Sequence, residues 1–193
     1  EDKLIWKGLT GAAHFLSIVT SITLKTYEEK PLYICSEFIS PDELAESIYQ
    51  SESWPNFASL QWIWADKIKA YVVIELESNE AIQMSKNLIK ELPFGQNPQI
   101  SIIEGLKDIP KFSLPELETS NPKRIHSEVI GLLGKGWGKE SKSIVKSLNS
   151  LISKRPNNHC YIASQQLGGV TKEQDSTRSS FIYRDSIWKP WIN

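Results

Sequence analysis

The stretch SLQWIWADKIKAYVVIELE, Ser59 to Glu77, most restricts how this chain can fold. Its two apolar runs, Leu60 to Ala65 and Ala70 to Leu76, are rich in β-branched and aromatic residues. Asp66 and Lys67 separate them, which predicts a β-hairpin. A hairpin pairs its strands antiparallel, so the sheet it belongs to is expected to be antiparallel as well. Trp62 and Trp64 stand two apart and share one face of the first strand, either as core or as the wall of an apolar pocket.

The remaining segments fit around such a sheet. KGLTGAA predicts a glycine-and-alanine turn, followed by a strand over Ile18 to Tyr27 in which apolar and polar residues alternate. Leu32 to Phe38 reads as a second strand. Ser40, Pro41 and Glu43 then supply the N-cap, first residue and third residue of a helix with a complete capping box, ahead of Leu44, Ile48 and Tyr49. Asn79 is placed to cap another helix, which shows Ile82, Leu88, Ile89 and Leu92 on one side and stops at Pro93. QISIIEG is a short strand, and Asp108 to Pro122, with three prolines, is a loop. Ile144, Val145, Leu148, Leu151 and Ile152 mark an amphipathic helix. HCYIASQQL and SSFIYRD complete the strands. The fold class expected is α+β, an antiparallel sheet with helices on one face.

A chain of 193 residues, 40% of them hydrophobic, has material for one main domain. Its 22 basic and 23 acidic residues are interspersed and leave a net charge of -1, which favours neither nucleic acid nor an anionic membrane as partner. No stretch approaches the ~18 apolar residues of a membrane span, and the first residues lack the apolar core of a signal peptide. A first residue of Glu is what processing or a fragment would leave. Cys35 and Cys160 lie far apart, outside any metal-type spacing, and leave the compartment open. His14, His126 and His159 are isolated, so no metal site is expected. The glycine-rich GLLGKGWGKES, Gly131 to Ser141, lacks the spacing of a phosphate loop and reads as a connection into the following helix.

Two segments carry a resemblance. Leu4 to Pro31 reads LIWKGLTGAAHFLSIVTSITLKTYEEKP, and Leu167 to Trp188 reads LGGVTKEQDSTRSSFIYRDSIW. In this order they resemble two conserved-looking stretches of FAD-linked oxidases with the vanillyl-alcohol-oxidase-type flavin fold, in particular the berberine-bridge-enzyme and 6-hydroxynicotine-oxidase group. The resemblance implies that residues 1–30 end an FAD-binding domain and that residues 31–193 form a substrate-binding domain, incomplete at its C-terminus. It also implies that Gly11, His14, Ser17, Ile18, Val19 and Thr20 approach FAD. Ala13, Phe15 and Ser17 stand where the family has glycine, asparagine and glycine.

Gln61, Trp62, Tyr161, Ser164 and Arg184 are the expected substrate-side residues. Tyr183, in place of the family's usual histidine, is the one acid/base group among the pocket residues. A phenol, with an ordinary pKa of ~10, needs a nearby positive charge to act as a base near neutrality. The family's pyrophosphate-binding loop and flavin-attaching histidine and cysteine lie upstream of such a segment and are not in this sequence. The activity implied is oxidation of a small organic substrate by hydride transfer to flavin, with O2 as acceptor, a missing FAD-binding domain or chain completing the site. The alternative is a truncated or degenerate relative that serves as a binding or scaffold domain.

Overall fold

The computed structural model describes residues 2–76, 79–95, 98–105, 107–108, 129–173 and 176–193. Seven strands form one sheet in the order β4-β1-β3-β2-β6-β7-β5, and every neighbouring pair is antiparallel. In chain order they are β1 (Leu32–Ile39), β2 (Ala58–Trp64), β3 (Ile68–Glu75), β4 (Gln99–Ile103), β5 (Ile130–Gly131), β6 (Ile162–Gln166) and β7 (Trp188–Ile192). The helices are α1 (Lys3–Leu16), α2 (Pro41–Ser51), α3 (Asn79–Glu91), α4 (Ser141–Ile152) and the single turn α5 (Val170–Glu173). The class is α+β.

Local chemistry sets the start of α2. Ser40 Oγ accepts from the Glu43 amide at 3.3 Å, while the Glu43 carboxylate accepts from the Ser40 amide at 2.7 Å. Pro41, with no amide to leave unpaired, begins the helix. The expected hairpin is β2–β3, and its register places Ala58, Leu60, Trp62 and Trp64 opposite Ile74, Val72, Ala70 and Ile68. All eight are buried on one face. Tyr33, Cys35 and Ile39 of β1 extend that face, and the apolar sides of α2, α3 and α4 cover it through Leu44, Ile48, Leu88, Ile89, Val145 and Ile152, with Leu92 just past the end of α3. Burying the β2–β3 face alone removes eight apolar side chains from water, each large one worth roughly 1.5–3 kcal/mol.

Among the described residues, the opposite face is covered at one end only. There Leu32, Ile34 and Ile103 form a small second cluster with Val73. Toward β2, β6 and β7 this face carries the polar Gln61, Gln165 and Lys189 beside an apolar row of Ile63, Ala163 and Trp191, and none of the described helices lies over it.

Three elements differ from expectation. KGLTGAA is not a simple turn: it lies inside α1, which bends where Thr10 and Ala12 leave helical backbone angles. Residues 17–31 carry no regular secondary structure, and Ile18, Ile22, Leu24 and Tyr27 are exposed. Alternation gives this segment a strand's side-chain pattern, but a strand also needs a neighbouring backbone, and none of the named strands pairs with it. SSFIYRD is likewise not a strand. Its serines bond to α1 and its end folds into a turn closed by the Ser186 amide on the Tyr183 carbonyl at 3.2 Å. The loop expected over Asp108 to Pro122 falls, beyond Asp108, outside the described residues, as does His126.

Strand β7 contains Pro190, a residue that ordinarily marks a strand's end. The Pro190 carbonyl accepts from Leu132 at 2.9 Å, so the proline nitrogen also faces the two-residue edge strand β5. No ladder bond to β6 is lost.

Candidate functional site

The uncovered face is organised by register. Ser36 lies opposite Tyr71, Tyr71 opposite Gln61, Gln61 opposite Gln165 and Gln165 opposite Lys189. These five polar residues form one row across β1, β3, β2, β6 and β7, stepping by the ~4.8 Å between strands. Ser36 is buried, Tyr71 and Gln61 are partly covered, and Gln165 and Lys189 are exposed. Burial pushes the Tyr71 hydroxyl above its ordinary pKa, so it stays protonated and able to donate. Strand alternation puts Tyr161 on the same face, beside the Tyr161–Asn193 backbone pair that prolongs the β6–β7 ladder.

At the Lys189 end the row opens into a cavity of about 510 Å³, lined by Leu132, Leu133, Phe181, Tyr183, Arg184 and Lys189 among others. Phe181 and Tyr183 meet edge to face at 6.1 Å. The structure thus brings Tyr183 and Arg184 together in one cavity and places Gln61 on the face that leads to it. Trp62 and Ser164 are a correction. They are neighbours in the register, but they point to the helix-covered face and are buried at 1% exposure each. Trp62 stacks edge-on with Trp137 at 6.5 Å, and Trp137 tilts against Trp188 at 5.7 Å. Trp62 is core.

The two segments that carried the resemblance meet, although they lie some 170 residues apart. Thr10 Oγ1 donates to the Arg178 carbonyl at 2.9 Å, Ser179 Oγ to the Thr10 carbonyl at 2.6 Å, and the Ser180 amide to the Lys7 carbonyl at 3.0 Å. Gly11 sits in this contact, and a methyl group there would overlap Ser180 Oγ and the Phe181 backbone. His14 lies in α1, Ser17 caps its end through a bond to the Ala13 carbonyl, and Ile18, Val19 and Thr20 stand exposed beyond it. The side of Gly11 is filled by Ser180 and Phe181, and the glycines with positive φ among the described residues are Gly138, Gly168 and Gly169, none of them in this segment.

The glycine-rich connection does present amides to an anion, but the anion belongs to the chain. Trp137 and Gly138 amides both donate to the Glu52 carboxylate, which also accepts from Trp188 Nε1 at 2.8 Å. Among the described residues there is no group of three or more metal-ligating side chains and no helix long and apolar enough to cross a membrane. Tyr71, Gln165 and Lys189 were not singled out from sequence. The hairpin register finds Tyr71, which it puts opposite Gln61 once the turn at 65–67 is fixed, while Gln165 and Lys189 follow only from the long-range pairing of β2 with β6 and β6 with β7.

No protein-family profile matches the chain, and no curated protein matches it either. Solved structures do. Over 98% of this chain and 44% of the other, it superposes on the xylooligosaccharide oxidase from Myceliophthora thermophila C1 in complex with xylobiose, with a TM-score of 0.73 at 14% identity. Aclacinomycin oxidoreductase matches over 87% of this chain and 37% of its own, with a TM-score of 0.60 at 15% identity. Berberine bridge enzyme from Eschscholzia californica matches over 84% and 35%, with a TM-score of 0.54 at 13% identity. The fold is that of the substrate domain of berberine-bridge-type oxidases. These neighbours are FAD-linked oxidases and oxidoreductases, and the chain spans less than half the length of each.

Proposed function

We propose that this chain is the substrate-binding part of an FAD-linked oxidoreductase that oxidises a small organic molecule with O2 as electron acceptor. The observation that carries the reading is the polar row from Ser36 to Lys189 on the uncovered sheet face of a fold found in such oxidases. In this reading residues 31–193 form the substrate wall, and residues 1–30 lead to a flavin-binding domain or chain. Flavin, when bound, supplies the redox chemistry. The chain's own residues bind and orient: Gln61, Gln165 and Tyr71 offer hydrogen bonds to a substrate lying on the sheet. Tyr161 extends the same wall. Tyr183 is the group placed to move a proton, with Arg184 and Lys189 lining the same cavity as sources of positive charge. The 193 residues alone are not expected to turn over.

One observation favours a second reading, a non-catalytic binding or scaffold domain. Gly11, the glycine of the flavin-side motif, is already engaged by Ser180 and Phe181. An absorption titration of the purified chain with FAD separates the two. Flavin bands between ~350 and ~500 nm that shift on binding support the oxidoreductase reading. A chain that leaves the spectrum of free FAD unchanged, alone and with its partner fraction added back, overturns it in favour of the second.

A further inference from the structure

The cavity at the end of the row is apolar where the row is polar. Leu132, Leu133, Leu167, Phe181 and Tyr183 line it, and all but Leu167 are large apolar side chains left exposed. Its volume of about 510 Å³ lies within the roughly 300–1,000 Å³ of small-molecule sites. Charge does not set its character: Arg184 has a partner of its own, and Lys189 stands on an exposed strand position. The polar signal is Ser186, which lines the cavity although only 3% of it is exposed. Its amide donates to the Tyr183 carbonyl at 3.2 Å, whereas its hydroxyl makes no hydrogen bond among the described residues. A guest that displaces water from this hydroxyl must replace the lost bond or leave a buried polar group unpaired. Backbone bonds hold the lining: the Leu132 amide to the Pro190 carbonyl at 2.9 Å, and Leu167 to Ile187 at 2.6 Å. A guest therefore meets a largely formed site, and little ordering opposes binding.

We propose that this cavity binds a small neutral molecule with an apolar ring body and one hydroxyl or carbonyl group, the body against Leu132, Leu133 and Phe181 and the polar group on Ser186 Oγ. Burial of the body drives binding. The serine hydroxyl both donates and accepts, so it meets either group and fixes the guest's orientation. A sugar fits poorly, because its many hydroxyls would leave water for largely hydrocarbon walls. The inference deepens the reading above and rests on it only in calling the guest a substrate, because binding itself needs no flavin.

The test is equilibrium dialysis of the whole chain, and of its Ser186→Ala variant, against 2-naphthylmethanol and against 2-methylnaphthalene, which has the same ring body and no hydroxyl. Ser186→Ala is expected to weaken binding of the alcohol and to leave the hydrocarbon as tight or tighter. The ratio of the two affinities should move by about fivefold or more, the size of one neutral hydrogen bond. Because the Ser186 hydroxyl holds nothing else among the described residues, the variant should melt at the parent's temperature. Leu132→Asp, at an exposed position of the lining, should lose both ligands. Cellobiose should displace neither. No binding of the alcohol, a ratio that Ser186→Ala leaves unchanged, or displacement by cellobiose overturns the proposal. So does a chain that dimerises through this face, loses the dimer in Leu132→Asp and ignores the alcohol. Alcohol binding by a chain that takes up no flavin sustains this inference while the oxidoreductase reading fails, and flavin uptake without alcohol binding does the reverse.

Discussion

Glu52 and Ser164 make opposite cases at the level of single side chains. Glu52 is fully used: its two oxygens receive two backbone amides and an indole N–H, and they fix Trp137 and Trp188 against Trp62. Removing it with Glu52→Ala leaves three donors without their acceptor, at a cost of about 2–4 kcal/mol. Ser164 Oγ and the adjacent Trp62 Nε1 are buried without a partner among the described residues. Ser164→Ala removes an unsatisfied group and should change stability by about 0.5 kcal/mol or less, or raise it. Urea denaturation of both variants checks the pair, and a Ser164→Ala loss as large as that of Glu52→Ala would refute the account. Neither role was legible in the sequence. Glu52 is one acidic residue among many until the chain folds back more than eighty positions, and the ambiguity at Trp62 between core and pocket wall is settled only by where the helices lie.

Elements were legible where their signals are local. The capping box at Ser40, the paired runs of β2 and β3 and the apolar stripe of α4 each depend on residues a few positions apart, and each stands close to its expected bounds. Elements that depend on distant partners were not. Ile18 to Tyr27 has the right alternation but no strand beside it, and β7 was hidden by Pro190, which is tolerated because its nitrogen faces the short β5. The docking of α1 belongs to the same class, since it rests on bonds to Arg178, Ser179 and Ser180. Gly11→Ala should force these apart at a cost of about 1–3 kcal/mol, confined to this contact. Hydrogen exchange should then show α1 amides losing protection while those of β1, β2 and β3 keep theirs. Unchanged protection in α1 would mean that the contact does not hold the helix.

The molecule as a whole is sensitive to alkali through its buried acids. Burial, and secondarily the charge of Glu37, pushes the Cys35 thiol from its ordinary 9.0 up to about 12. Burial raises Tyr33, with Cys35 adding to it, and burial raises Tyr71. The native chain therefore keeps protons that the unfolded chain releases, and stability falls as pH climbs past the unfolded values toward the folded ones. The urea midpoint should drop as pH rises from about 9 toward about 12, and less steeply in Cys35→Ala. A flat profile in the parent chain would contradict the buried environment assigned to Cys35. The order of the sheet has a kinetic consequence. Strands β1 to β4 all lie before residue 104, whereas β6 joins at β2, where Gln166 accepts from Leu60 across a separation of 106 residues. Closing so long a loop costs entropy before any contact rewards it, so the β2–β6 seam is the late step of folding and the first place where the sheet would part. The polar row crosses that seam between Gln61 and Gln165, which means that the row is whole only in chains that have finished folding.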